Sequence, residues 1–193
     1  MAEVLLFHHA QGLTGGVLAL ADQLRQAGHS VHTPDMYDGN TFPALDDGVD
    51  YARQVGFGEI LRRGVGSADG LPAELWYIGI SLGVMPAQQL AQTRAGARGA
   101  VLLEACVPPS EFGTAWPAGV PVQIHGMEAD PSFAGEGDLD AARALVKQAD
   151  NAELFLYPGD SHLFTDASLP GYDADAAALV TKRVLDFLAG EPK

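Results

Sequence analysis

A run of residues from Trp76 to Gly83 constrains the fold more than any other stretch of this sequence. A short apolar segment ends there in the pattern Gly-x-Ser-x-Gly, residues 79–83, which we call the elbow, and a helix-compatible segment from Val84 to Ala91 follows. This pattern predicts a strand, a sharp turn with a serine at its tip, and a helix. The elbow glycines lack the Cβ atoms that would collide as the strand and the helix close on each other. We therefore expect the Ser81 hydroxyl to lie at the carboxyl end of a sheet, near the positive end of a helix.

Strand-like and helix-like segments alternate along the whole chain. Alternation of this kind predicts an α/β protein with a mostly parallel sheet and helices on both faces, in one domain spanning residues 1–193. Ligands of such sheets bind beyond the carboxyl ends of the strands, so the residues that follow each strand are the first candidates for a site. The predicted strands span residues 4–7, 30–33, 75–80, 99–103, 120–125 and 152–157, and the predicted helices span residues 15–27, 46–63, 84–94, 139–149 and 174–188.

The balance of charge bears on which partners this chain can have. Its formal net charge of −14 disfavours binding to nucleic acid and to an anionic membrane surface. The single cysteine, Cys106, excludes an internal disulfide, and no signal-peptide pattern follows Met1, so we expect a cytoplasmic protein. No apolar run is long enough to cross a bilayer. We expect a small-molecule substrate, and no sequence signal decides between a monomer and a homodimer.

A serine hydroxyl is a poor nucleophile at neutral pH, and it needs a base to take its proton and a carboxylate to orient that base. His162, in the loop after the last predicted strand, is the candidate base. Asp130, in the acidic loop after the fifth strand, is the candidate acid, and Glu128 in the same loop is the alternative. The order Ser, Asp, His along the chain is the order that α/β-hydrolases use.

Two backbone N–H groups are candidates for an oxyanion hole. One belongs to Leu82, next after Ser81, and the other belongs to Ala10, in the loop after the first strand. His8 and His9 precede Ala10, but adjacent side chains diverge and no cluster with metal-ligand spacing accompanies them. We therefore predict a site without a metal ion and without a cofactor.

The chain resembles the dienelactone hydrolase family of small α/β-hydrolases over nearly its full length. The resemblance rests on the elbow, on the segments Pro34-Asp35-Met36-Tyr37 and His162-Leu163-Phe164, and on Gly12, Gly126 and Tyr157. It implies a Cys or Ser nucleophile, an Asp and a His, carried here by Ser81, Asp130 and His162. It also implies the α/β-hydrolase fold. Because this chain starts at the strand before the oxyanion loop, we expect a shortened sheet of about six strands.

Three departures from the family bear on the substrate. The dienelactone enzymes use cysteine where this chain has Ser81, and they keep a glutamate at the position of His9. An arginine that holds the substrate carboxylate in those enzymes is matched here by Asp166, and an acid at that place would repel an anionic substrate. We therefore expect a neutral substrate. The side chains expected to line its pocket are His9, Tyr37, Phe42, Phe112, Trp116 and Phe133.

Together these residues predict a serine hydrolase that cleaves a carboxylic ester, lactone or thioester through an acyl-enzyme on Ser81. Two alternatives remain open. In an acyltransferase or a perhydrolase, the same triad passes the acyl group to an acceptor other than water. A hydrolase scaffold also serves as a non-catalytic small-molecule binding protein, because a fold does not guarantee its usual activity.

Overall fold

Six parallel strands form one sheet in the computed structural model, which describes residues 1–190. The strands are β1 Glu3–Phe7, β2 Ser30–His32, β3 Trp76–Ile80, β4 Gly99–Leu103, β5 Val122–Met127 and β6 Ala152–Tyr157. Their order across the sheet is β2-β1-β3-β4-β5-β6, with every neighbouring pair parallel. This confirms the predicted α/β fold with a parallel sheet of six strands. Residues 191–193, at the end of the predicted domain, lie outside the described residues.

Helices cover both faces of the sheet. Within residues 1–190 they are α1 Gly15–Gln26, α2 Leu45–Val55, α3 Phe57–Gly66, α4 Val84–Thr93, α5 Pro131–Gly135, α6 Asp138–Gln148 and α7 Ala174–Ala189. Helices α1 and α7 pack against one face, and α2 to α6 pack against the other. None of the described helices has the length and apolar character that crossing a membrane requires.

The strands contribute side chains to two apolar layers at once. In β1, Val4 and Leu6 point into the layer beneath α1 and α7, whereas Leu5 and Phe7 point into the layer beneath α2 to α6. Successive side chains of a strand face opposite sides of the sheet, and both sides are buried here. This is why the first strand reads as a continuous apolar run rather than as an alternating pattern.

The predicted helix over residues 46–63 is wrong, because the structure has two helices there. Gly56 separates α2 from α3, with a backbone φ of +96° that is outside the helical region. A positive φ is accessible to glycine without steric cost, so the chain ends one helix and begins the next at this residue. The second helix, α3, contacts α4, which is the helix that follows the elbow.

The region around β5 differs from the prediction in two ways. The strand begins at Val122, two residues later than expected, because Val120 closes a turn in which its carbonyl accepts a hydrogen bond of 2.7 Å from Nε1 of Trp116. The acidic loop after β5 contains the short helix α5, which the sequence did not predict. Pro131 occupies its first turn, and the Asp130 side chain caps it by accepting the N–H of Ser132.

The elbow turns sharply at Ser81, whose backbone φ is +49°. One turn of 3₁₀-helix, Ser81–Gly83, leads from β3 into α4. A Cβ atom on Gly79 would lie 2.3 Å from the carbonyl oxygen of Gly83, and one on Gly83 would lie 2.5 Å from the carbonyl oxygen of Phe7. The strands and the helix therefore approach each other more closely than a side chain at either glycine would permit.

Replacing Gly79 by alanine should lower the free energy of unfolding by about 2–3 kcal/mol, because the added methyl group meets backbone atoms that cannot move aside. Gly58 in α3 is the matched control, since no atom lies within 4 Å of a Cβ built there. Gly58→Ala should leave stability unchanged or raise it by about 0.5–1 kcal/mol. Urea unfolding curves measure both variants. A Gly79→Ala protein as stable as the parent would show that the close approach is not needed.

Candidate active site

Ser81, His162 and Asp130 form a continuous chain of hydrogen bonds at the carboxyl edge of the sheet. Ser81 Oγ lies 2.9 Å from Nε2 of His162, and Nδ1 of His162 lies 2.7 Å from Oδ2 of Asp130. The three side chains follow β3, β6 and β5, so the parallel sheet brings them together from distant parts of the chain. Glu128, the alternative acid, is exposed on the surface.

Asp130 is placed to hold the imidazole in one tautomer. It is fully buried, and its Oδ1 accepts the N–H of Ser132 at 2.9 Å. Oδ2 accepts the Nδ1–H of His162, which leaves Nε2 as the acceptor for the Ser81 hydroxyl. Burial lowers the pKa of His162, but the hydrogen bond to Asp130 and the nearby carboxylates outweigh burial, so this pKa lies above its ordinary value.

A cavity of about 250 Å³ contains Ser81 and His162 in its wall. Most of its other lining residues are apolar, several of them from α2, α3 and α4, and three residues with carboxyl side chains also line it. No Lys or Arg side chain of the described residues lines it. The lining residues are Ala10, Leu45, Val49, Phe57, Leu82, Val84, Met85, Glu104, Ala105, Val107, Ser132, Glu136 and Asp138. The two residues expected to supply oxyanion donors, Ala10 and Leu82, are therefore both at the cavity.

The six side chains predicted to line the pocket do not line this cavity. They are His9, Tyr37, Phe42, Phe112, Trp116 and Phe133. Tyr37, Trp116 and Phe133 belong to the buried core between the sheet and α2 to α6, and Phe42 packs against Tyr37 with ring centroids 6.1 Å apart. Phe112 is half-buried. The buried rings among them pack in the core, whereas side chains of α2, α3 and α4, together with loop residues such as Ala10, Ala105 and Val107, form the cavity walls.

The two adjacent histidines after β1 are fully buried and are engaged inside the protein. His8 donates from Nδ1 to the carbonyl of His9 at 2.8 Å and accepts the N–H of Met36 at Nε2, 3.0 Å away. Burial lowers the pKa of His8 to about 4, so this ring is neutral at pH 7. His9 donates from Nε2 to Asp166 at 2.7 Å. Within residues 1–190, no group of three His, Cys, Asp or Glu side chains is arranged to hold a metal ion.

Asp166 anchors the loop that carries His162 and does not face the cavity. It is buried and accepts hydrogen bonds from the His9 ring, from the Thr14 hydroxyl, and from the N–H and hydroxyl of Ser168 at 2.7 and 2.6 Å. Burial raises the pKa of Asp166, but these hydrogen bonds outweigh burial and hold the pKa at about 2. Asp166 is therefore not placed to repel an anionic group in the cavity, as the sequence had led us to expect.

Glu104 is a further ionisable side chain at the cavity, and the sequence pattern alone did not point to it. It follows β4 with a backbone φ of +65°, and only 1% of its surface is exposed. Its Oε1 accepts the N–H and the hydroxyl of Thr165 at 3.1 and 3.0 Å, whereas Oε2 has no hydrogen-bond partner among the described residues. The sequence did contain one signal for it, because Glu104 directly follows the fully buried strand β4. A carboxyl at such a place is expected to be buried, and a buried charge needs partners inside the protein.

Comparison with known proteins places the fold and the family. The family model described as "Dienelactone hydrolase family" matches residues 1–191. The dienelactone hydrolase-like promiscuous phosphotriesterase P91 from metagenomic libraries is 19% identical, with a TM-score of 0.74 over 98% of this chain and 86% of that chain. Esterase 2 of Thermogutta terrifontis, phosphonylated by sarin, is 15% identical, with a TM-score of 0.68 over 100% of this chain and 86% of that chain. Alpha/beta hydrolase domain-containing protein 10 from mouse is 12% identical, with a TM-score of 0.70 over 99% of this chain and 90% of that chain. A sequence comparison with curated proteins gives no match.

Replacing Asp166 by asparagine should lower the free energy of unfolding at pH 7 by about 2–3 kcal/mol, since its pKa is near 2 when folded and about 4 when unfolded. This contribution is present above pH 4 and is lost as the pH falls towards 2, so the gap between parent and variant should narrow over that range. Asp160→Asn, at an exposed carboxylate in the same loop, should stay within about 0.5 kcal/mol of the parent. Denaturant unfolding at pH 7 and pH 3 measures these differences. Equal losses in both variants would contradict an anchoring role.

Proposed function

Because this chain belongs to the dienelactone hydrolase family, we propose that it is a serine hydrolase that cleaves a neutral carboxylic ester, lactone or thioester through an acyl-enzyme on Ser81. The observation that carries this proposal is the hydrogen bond of 2.9 Å from the Ser81 hydroxyl to an imidazole that a buried carboxylate orients. Cys106 is a poor alternative nucleophile, because burial raises the pKa of its thiol to about 12.

In the proposed reaction, Ser81 Oγ attacks the carbonyl carbon while Nε2 of His162 takes the hydroxyl proton. The resulting imidazolium is stabilised by Asp130. When the tetrahedral intermediate collapses, the carbonyl carbon loses its bond to the leaving oxygen or sulfur, and His162 returns the proton to that atom. Water then attacks the acyl-enzyme with His162 again acting as the base, which releases the carboxylic acid and restores the serine hydroxyl.

The N–H groups of Leu82 and Ala10 are the proposed donors to the oxyanion. Gly83 supports this assignment, because it lets the start of α4 lie against the end of β1, where a Cβ would be 2.5 Å from the carbonyl oxygen of Phe7. The residues that follow β1 and Ser81 consequently lie side by side, and both Ala10 and Leu82 are lining residues of the cavity. Backbone donors at this place, together with the helix terminus, stabilise the negative charge that develops on the substrate oxygen.

The cavity lining favours a small and uncharged substrate. Glu104, Glu136 and Asp138 are its ionisable lining residues besides His162, and no cationic side chain of the described residues lines it. An anionic group entering the cavity would therefore lose its water without gaining a positive partner. A volume of about 250 Å³ accommodates a short acyl group more readily than a long chain.

Ser81→Ala should lower kcat/KM for p-nitrophenyl acetate by at least about 10³-fold, because no other hydroxyl replaces the nucleophile. Ser110→Ala, at an exposed serine away from the cavity, should keep the parent rate. Circular dichroism checks that both variants are folded. An undiminished rate in Ser81→Ala would refute the proposed mechanism.

The parent should cleave p-nitrophenyl acetate at least about tenfold faster than a p-nitrophenyl hemisuccinate, because the cavity offers an anionic group no positive partner.

Asp130→Asn should reduce kcat by about 10⁴-fold, because an amide no longer fixes the productive tautomer of His162 or stabilises the imidazolium. Glu128→Gln makes the matching change at the exposed carboxylate two residues earlier and should leave kcat within about twofold of the parent. Steady-state kinetics with the same ester measure both. A large loss in Glu128→Gln, with little change in Asp130→Asn, would assign the acid to Glu128 instead.

A further inference from the structure

Glu104 is buried more deeply than its position at a cavity would require. Its N–H bonds to the carbonyl of His125 at 2.7 Å, which continues the ladder between β4 and β5, but its φ of +65° turns the chain away from regular strand geometry. Non-glycine residues rarely adopt this backbone region, and such residues cluster at functional sites. The strained backbone places the carboxyl inside the protein, on the side of the loop that carries His162.

The two oxygens of the Glu104 carboxyl have different surroundings. Oε1 accepts both hydrogen bonds that Thr165 can offer, and Thr165 lies only three residues after His162. Oε2 has no hydrogen-bond partner among residues 1–190 and is closed off from solvent. A substrate therefore cannot reach this oxygen, and any influence of the carboxyl on the reaction has to pass through a neighbouring protein group.

We propose that Glu104 is a positioning residue for His162, whose loop it holds through Thr165 and whose imidazolium form it stabilises alongside Asp130. This inference rests on the proposed function only in that it assigns His162 the role of base. Because Oε2 makes no hydrogen bond with the described residues, its negative charge is not shared with a local donor, and the low dielectric of the interior keeps its attraction to the imidazolium strong.

The charged neighbours of the two groups are consistent with this arrangement. Burial raises the pKa of Glu104 above its ordinary value, although the imidazolium of His162 and the two hydrogen bonds from Thr165 oppose that rise. Burial lowers the pKa of His162, and Asp130, Glu104 and Asp138 together raise it above its ordinary value. Because each charge favours the other, protonation of one group should affect the titration of the other.

The decisive variant is Glu104→Gln, which keeps the shape of the side chain and an oxygen for Thr165 but removes the charge. Proton NMR titration should show that the pKa of His162 falls by roughly one pH unit, because an opposite charge nearby had favoured the protonated ring. The His162 signal is assigned by its absence in His162→Gln. The acid limb of kcat/KM should move to lower pH by the same amount, and the plateau should fall severalfold, because a less basic imidazole is a weaker general base.

Glu128→Gln is the matched control, since it removes the same charge from an exposed position near the site and should leave the His162 titration unchanged. An unchanged His162 pKa in folded Glu104→Gln would overturn the inference. A lowered pKa of His162 in the variant, with a parent that hydrolyses no ester, would support the inference and count against the proposed function instead.

If Glu104→Gln does not fold, ¹³C titration of the parent tests the inference. The chemical shift of the Glu104 carboxyl should change at the pKa of His162, and the absence of that change would overturn the inference.

Discussion

The structure depends above all on how closely the start of α4 approaches the backbone of β1 and β3. Gly79 and Gly83 are where this approach occurs, because at both positions an added Cβ would lie less than 3.0 Å from backbone atoms. The approach forces the chain through a left-handed turn at Ser81 and brings the residues after β1 beside those after β3. Main-chain packing alone thereby places the Ser81 hydroxyl, the residues after β1 and the start of α4 together.

A second constraint is the anchoring of the loop between β6 and α7 by buried carboxyl groups. Asp130 orients His162, and Glu104 accepts two hydrogen bonds from Thr165. Asp166 accepts hydrogen bonds from the loop after β1, from the residue that caps α1 and from its own loop. Each of these carboxyls lies inside a chain whose net charge is already −14. Buried carboxylates are unfavourable without partners, so their partners define where the loop, and with it the imidazole, must lie.

The fold and the hydrogen-bonded chain at Ser81 could be predicted from the sequence because both depend on local patterns. Alternating apolar segments predict the parallel sheet, and the ends of its strands bring Ser81, Asp130 and His162 to one edge. The cavity walls could not be predicted this way, because they depend on how α2 and α3 divide at Gly56 and pack over the elbow. Phe133 illustrates the difference: it lies in α5, three residues after Asp130, and packs against Gly126 in the core, which only the tertiary structure shows.

An activated serine is the central claim, and labelling with a fluorophosphonate probe tests it most directly. Intact mass and peptide mapping should show a single adduct on Ser81 in the parent and none in a folded Ser81→Ala protein. A folded parent that acquires no adduct, or an adduct that maps to another residue, would contradict the account and leave the hydrogen-bonded chain at Ser81 without a catalytic role.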